Sequence, residues 1–310
     1  MFYKWAIVVC MAIGAAGCGN GKKQADSGRF RVLATTGMVG DMIRNVGGDK
    51  VEVDVLMGPG VDPHLYKASP GDVSKINRAD WVLYSGLHLE GKMAEIFENV
   101  ARKKPTLAVG DLVDQTALLR ALPGMSNVAN APDPHIWFDV SLWSSSLKGI
   151  ADFCAKNDPA NAEFYMANAK TYADALAKLH EEVKTTIATI PESRRVLITA
   201  HDAFRYFGRA YGIEVRGIQG ISTESEAGVA EVVKLVDLMV ARKIPAVFVE
   251  SSVSQKNIQA LIEGAKQRGL PAKVGGSLFS DAMGAAGSPE GTYEGMIRHN
   301  VKQIVSALKP

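Results

Sequence analysis

After Pro159 the chain carries neither glycine nor proline as far as Ile190, an unbroken run of 31 residues. Asn157-Asp158-Pro159 stands just ahead of it, an N-cap side chain followed by proline at the first helical position. Pro191 closes the run. Inside it Tyr172, Leu176, Leu179, Val183, Ile187 and Ile190 recur every three or four residues, which lines one face of an α-helix. At ~1.5 Å per residue such a helix is roughly 48 Å long. That exceeds what either flanking half needs for its own core. Residues 158–191 therefore predict a strut joining two lobes.

Both flanks alternate strand with helix. Ahead of the strut, residues 31–35, 51–57 and 80–84 read as strands, with 107–109 as a fourth. Helices fit 38–46, a segment opening at Ser69, and 142–156, while 118–132 reads as loop. Behind it, strands fit 196–200, 214–219, 246–249 and 271–274, and helices fit 226–241, 255–267 and 293–308. This alternation predicts parallel βαβ units. The expected fold is α/β, with two (β/α) lobes of parallel sheet (residues 30–157 and 192–310) on one long backbone helix. A chain of 310 residues has room for both.

The chemistry concentrates in a repeated tripeptide. Gly58-Pro59-Gly60-Val61-Asp62-Pro63-His64 ends in Asp-Pro-His, and Asp133-Pro134-His135 repeats it, in a chain with only six histidines. Proline holds its own φ and extends the residue before it, so each imidazole comes from a stiff loop. His201 follows the apolar strand Val196-Leu197-Ile198-Thr199-Ala200, where α/β folds place ligands. Asp281 lies in Ser280-Asp281-Ala282-Met283-Gly284. Three imidazoles and a carboxylate form a borderline donor set that suits Zn²⁺ and also admits Mn²⁺ or Fe²⁺. Two candidates precede the strut and two follow it, so an ion held by all four would bridge the lobes. Asp139 and Glu250 are candidates to accept the imidazole N–H groups behind the ligands. His88, His180 and His299 read as structural or surface residues, and Trp137 as packing that could also keep water from the site.

Enzyme motifs such as HExxH, CxxC, Walker A, GxSxG and GxGxxG are absent from the sequence. The net charge of +2 gives no support for nucleic acid or an acidic membrane surface as the main partner. The N-terminus reads as an export signal. Lys4 precedes a 13-residue apolar stretch that is too short to span a bilayer, which needs ~20 residues. It ends in Ala15-Ala16-Gly17-Cys18, similar to a bacterial lipobox, with Cys18 as the lipidated first residue after removal of 1–17. Residues 18–29 suit a flexible tether. Cys10 leaves with the signal and Cys18 carries lipid, so Cys154 remains as a small buried apolar residue with no internal disulfide partner.

GPGVDPHLYKAS, DPHIWFD, TAHDAFRYFGRAYG, ESSV and LFSDAMG follow one another in that order. With them the chain resembles, from about residue 30 to 308, the cluster A-I solute-binding lipoproteins of zinc and manganese ABC importers, the ZnuA, TroA, PsaA and MntC group. TAHDAFRYFGRAYG with SDAMG is similar to TroA in particular. The resemblance implies two lobes on one long helix with the metal buried between them, and His64, His135, His201 and Asp281 match the four ligand places. Manganese-dedicated members commonly carry glutamate at the third place, where this chain has His201. Residues 111–132 lack the histidines that many zinc members carry there.

The expected function is a monomeric, lipid-anchored receptor outside the cytoplasmic membrane, on the periplasmic side or cell surface. It would bind Zn²⁺ or Mn²⁺ and deliver it to an ABC permease without chemical change. Release is expected from loop movement around His201 and Asp281. With unperturbed histidines near pKa ~6.5, affinity is expected to fall below about pH 6. The alternatives are a metal-dependent hydrolase with three ligands and a water, and a metal-regulated surface adhesin.

Overall fold

A computed structural model of the chain describes residues 28–121 and 130–309. The expected signal 1–17, Cys18, most of the tether and the middle of the 118–132 loop lie outside the described residues. The first half runs β1 (Phe30–Ala34), α1 (Gly37–Gly47), β2 (Val51–Val55), α2 (Pro70–Arg78), β3 (Trp81–Tyr84), α3 (Ala94–Ala101) and β4 (Thr106–Ala108). Every pairing is parallel and the strand order is β2-β1-β3-β4. Central β1 and β3 are apolar on both faces, as a sheet covered by helices requires. Edge strand β2 alternates instead, and its outward Glu52 and Asp54 discourage further pairing. Helix starts follow local chemistry. Thr36 accepts the Val39 N–H ahead of α1, and Ser69 with Asp72 forms a reciprocal capping box on α2.

The helix expected over 142–156 is two helices, α4 (Val140–Ser145) and α5 (Leu147–Asn157). They break at Ser146, whose hydroxyl takes the Trp143 carbonyl at 2.8 Å and competes with the helical ladder. The strut follows as α6 (Ala162–Ile187), 26 residues or roughly 39 Å, after a 3₁₀ turn over Pro159–Asn161. It is shorter than the glycine- and proline-free run because its far end tightens. There Thr189 bonds back to Thr186, and Ile190 to Ile187, in three-residue steps.

The second half runs β5 (Val196–His201), α7 (Arg205–Tyr211), β6 (Glu214–Gln219), α8 (Val229–Arg242), β7 (Ala246–Glu250), α9 (Lys256–Gln267), β8 (Lys273–Leu278) and α10 (Tyr293–Leu308). The β5–β6 and β7–β8 pairs are parallel, and β5 lies beside β7, so the winding repeats that of the first sheet. Short α3 and α7 were not expected from the apolar pattern. Eight and seven residues are too few for a face to declare itself.

One face of α6, Tyr165, Ala169, Tyr172, Leu176, Leu179, Val183 and Ile187, is buried. It packs on α1, α4 and α5 of the first half and on α7 and α10 of the second. One apolar core runs from Val32 and Trp81 through the strut to Leu197, Phe248 and Ile304. A close-packed core shared this way resists wide opening between the lobes. Leu179 is fully buried at mid-strut. Leu179→Ala is expected to cost about 2–5 kcal/mol, read as a lower urea midpoint with an unchanged slope.

Candidate metal centre

Each of the four candidate ligands is delivered by a different local device. His64 follows the turn at Gly60, whose φ of +73° favours glycine. His135 leads into a 3₁₀ turn over Ile136–Phe138. His201 is the last residue of β5, and its N–H donates to Glu250 Oε1 at 2.9 Å at the end of neighbouring β7. Asp281 lies beyond β8, whose ladder shifts by one residue so that Gly275 is unpaired. Such a bulge re-aims the chain that follows. Three ties then hold the Asp281 loop: Trp137 Nε1 to the Ser280 carbonyl at 3.1 Å, the Ser252 and Ser280 hydroxyls at 3.1 Å, and Asn300 bonded to both the N–H and the carbonyl of Phe279.

The structure brings His64, His135, His201 and Asp281 together, all buried, with one donor atom from each within 4.8 Å of the others. Nε2 of His135 stands 3.4 Å from Nε2 of both His64 and His201. The carboxylate oxygens of Asp281 lie 3.2 Å from His201 Nε2, 3.4 Å from His135 Nε2 and 3.9 Å from His64 Nε2. A tetrahedral ion with bonds of about 2.0–2.1 Å sets its ligand atoms about 3.3–3.4 Å apart, so His135, His201 and Asp281 stand at the spacing of a Zn²⁺ site while His64 stands farther from Asp281. Both Asp281 oxygens are buried without a hydrogen-bond partner. A cation at the centre would answer them, and the orphaned acid is the sign that the cage is built for one.

Behind the ligands, His201 Nδ1 lies 2.5 Å from Glu250 Oε2 and His135 Nδ1 lies 2.8 Å from Asp133 Oδ1. Each carboxylate accepts the Nδ1 proton, which turns the Nε2 lone pair toward the centre. Glu250 occupies the expected place, but Asp139 does not. Its carboxylate accepts the Leu142 N–H at the start of α4 and pairs with Arg209, while Asp133 holds His135. An acid two residues before a histidine, ahead of proline, can fold back on the ring, but Asp62 stands in the same local context and turns to Thr223 instead. Trp137 is fully buried with its ring 5.2 Å from that of His135, and so packs against the cage. His88 is exposed, whereas His180 meets Tyr211 and His299 meets the Ser277 carbonyl.

The titration of the four groups follows their partners. Burial lowers His64 to about 3, so its ring is neutral at any physiological pH. Burial alone would also lower His135, but contacts with Asp133 and Asp281 outweigh it and raise it to about 9. His201 is likewise raised well above the ordinary value, against the pull of burial, by the charges of Asp281 and Glu250. Asp281 is held well below the usual carboxylate range, although burial opposes this, chiefly by the charge of His201. Protons and a divalent cation therefore compete for the same lone pairs.

A cleft between two α/β lobes, closed on a three-histidine, one-carboxylate cage, defines a metal-capturing binding protein. The chain matches the family described as ZnuA, zinc-uptake complex component A, periplasmic, over residues 32–307, and it belongs to that family. It is 47% identical over 306 residues to the manganese-binding lipoprotein MntA of Bacillus subtilis, covering 98% of each chain. It is 44% identical over 288 residues to the zinc-binding protein TroA of Treponema pallidum, covering 93% of this chain and 91% of the relative. The solved structure of that periplasmic zinc-binding TroA superposes with a TM-score of 0.87 at 43% identity, covering 91% of this chain and all of the other. Its α/β architecture matches the fold described above.

Glu250→Gln keeps the shape of the acid but weakens its hold on the His201 proton. It is expected to reduce Zn²⁺ affinity roughly 10–100-fold, as measured by competition with a chelating dye.

Proposed function

We propose that the protein captures Zn²⁺, with Mn²⁺ as the weaker cargo, outside the cytoplasmic membrane and presents it to the permease of an ABC importer. The orphaned Asp281 carboxylate facing three Nε2 atoms at 3.2–3.9 Å carries this reading. As a member of an uptake family the chain is the metal-binding component of an ABC system, not an enzyme. It is an extracytoplasmic lipoprotein or periplasmic binding protein, and its cargo is zinc or manganese. The two relatives are named for different metals, so the choice between them rests on the cage. Spacings of 3.2–3.4 Å among His135, His201 and Asp281, with imidazole as the dominant donor, support Zn²⁺ as the tighter of the two. Four protein ligands also leave no open position for the water a hydrolytic zinc needs.

A lipid on Cys18 would tether the protein after removal of residues 1–17, with 18–29 as the leash. The lobes would be residues 30–157 and 192–310, joined by 158–191. The protein would meet its permease as a monomer, without nucleic acid.

Zn²⁺ present at one hundred times its Kd is expected to stabilise the fold by about 2.7 kcal/mol. His64→Ala should lose most of that shift in thermal unfolding. A metal titration that leaves the wild-type melting temperature unchanged would refute the reading.

The pH dependence also carries a sign. At neutral pH His135 holds a proton that the ion must displace, His201 is shifted in the same direction, and His64 does not titrate in this range. Binding thus releases the His135 proton, with His201 adding in the same direction, and Kd should rise at least about tenfold for each unit that pH falls between 8 and 6. This window lies above the one expected from unperturbed histidines because the buried acids hold the protons on. Isothermal titration in buffers of different ionisation enthalpy counts the released protons directly. Equal affinity at pH 6 and pH 8 would contradict the arrangement.

A further inference from the structure

One ligand is held differently from the other three. His135 and His201 are each gripped at Nδ1 by a buried carboxylate, and the Asp281 loop is clamped by Trp137, Ser252 and Asn300. Among the described residues no carboxylate grips the Nδ1 of His64. Its loop is fixed by the backbone, where the His64 N–H donates to Asp62 Oδ1 at 2.9 Å. The other Asp62 oxygen accepts the Thr223 hydroxyl at 2.6 Å, from a residue 161 positions away in the opposite lobe. Beside it, Lys92 Nζ reaches Glu224 Oε1 at 3.3 Å, a second tie across the cleft. Both partners sit in residues 221–224, an irregular stretch between β6 and α8.

Under that stretch lies a cavity of about 330 Å³ lined by His64, His88, Lys92, Pro134, Ile221 and Glu224, among others. His64 is the only one of the four ligands on its wall, and at 5% exposure it is the least buried of them. We propose that this cavity is the passage by which the ion enters and leaves. Residues 221–224 are the strap across it, and Thr223, acting through Asp62, is the positioning residue that keeps His64 on the ion. This rests on the metal-capture reading above.

The Lys92–Glu224 pair is partly exposed and contributes little. The part-buried Thr223–Asp62 bond joins a hydroxyl to an acid and is the stronger of the two. When it parts, the His64 loop loses its anchor in the opposite lobe, and the ion keeps three well-supported ligands and one open position. An incoming donor can then take the fourth place without the lobes separating, which the shared core along α6 would resist. Release thus begins at His64, on the other side of the ion from the loops expected to move. His201 and Asp281 are the better restrained.

The test is kinetic and uses Zn²⁺ with the intact protein. Thr223→Val removes the hydroxyl at nearly constant volume. Release to excess chelator, followed by stopped flow, should quicken roughly tenfold to a hundredfold. Capture, followed with a competing fluorescent zinc probe, should quicken as well, so that Kd rises by less than the release rate. Thr223→Ser should restore both rates, and Lys92→Met, on the exposed pair, should show a smaller change in the same direction. Damage to the site alone would leave capture unchanged or slower, with Kd rising at least as much as release; that result overturns the strap. So does a Thr223→Val release rate indistinguishable from wild type. Wild-type protein that binds no Zn²⁺ would remove the capture reading itself, which is a different outcome from a wild type that binds beside a variant that behaves identically.

Discussion

Everything in this molecule answers to one buried acid. Asp281 is almost wholly shielded from water, and its oxygens face the Nε2 atoms of His64, His135 and His201. A carboxylate in that position is tolerable only with positive charge beside it. Two sources fit the space: protons on His135 and His201, or a divalent ion shared by all four ligands. Either one offsets the buried negative charge. Arg205 extends the balance, standing 3.6 Å from the Asp133 carboxylate that orients His135 and 3.7 Å from Asp202.

The rest of the fold holds that acid between lobes that cannot move far. The strut is buried along its length against helices of both halves, and Tyr172 on it donates to Asp41 of α1 at 2.5 Å. Tyr293, the first residue of α10, reaches the Trp137 carbonyl at 2.6 Å, and Trp137 in turn holds the Ser280 carbonyl beside Asp281. These bonds cross the seam between the halves close to the cage. Motion is left to short segments whose ties are few, such as residues 221–224.

The two Asp-Pro-His copies show how little a motif says about its own use. In both, the acid accepts the backbone N–H of the histidine two residues on, at 2.9 Å for Asp62 and 3.1 Å for Asp133. The free oxygen and the ring then diverge. Asp133 turns onto the His135 ring, whereas Asp62 turns away to Thr223. One copy makes a rigid ligand and the other a ligand whose hold depends on the opposite lobe. Nothing within either tripeptide distinguishes them.

Local chemistry in the sequence determined what is periodic or punctuated: the glycine- and proline-free strut, the apolar strands, the caps at Ser69 and Thr36, and the four donor side chains. Those properties belong to neighbours a few residues apart, so they are legible in one dimension. It offered Glu250 as a candidate partner beside Asp139, and the structure places only Glu250 against a ligand ring. Only the tertiary structure decided that Asp133 and not Asp139 holds His135, because an acid one helical turn away is captured by the α4 N-terminus and Arg209. It alone decided the pairing of Asp62 with Thr223 and the upward shift of two histidines. The His201–Glu250 contact joins residues 49 apart and the Asp62–Thr223 bond residues 161 apart, and separations of that kind leave no mark on the local pattern.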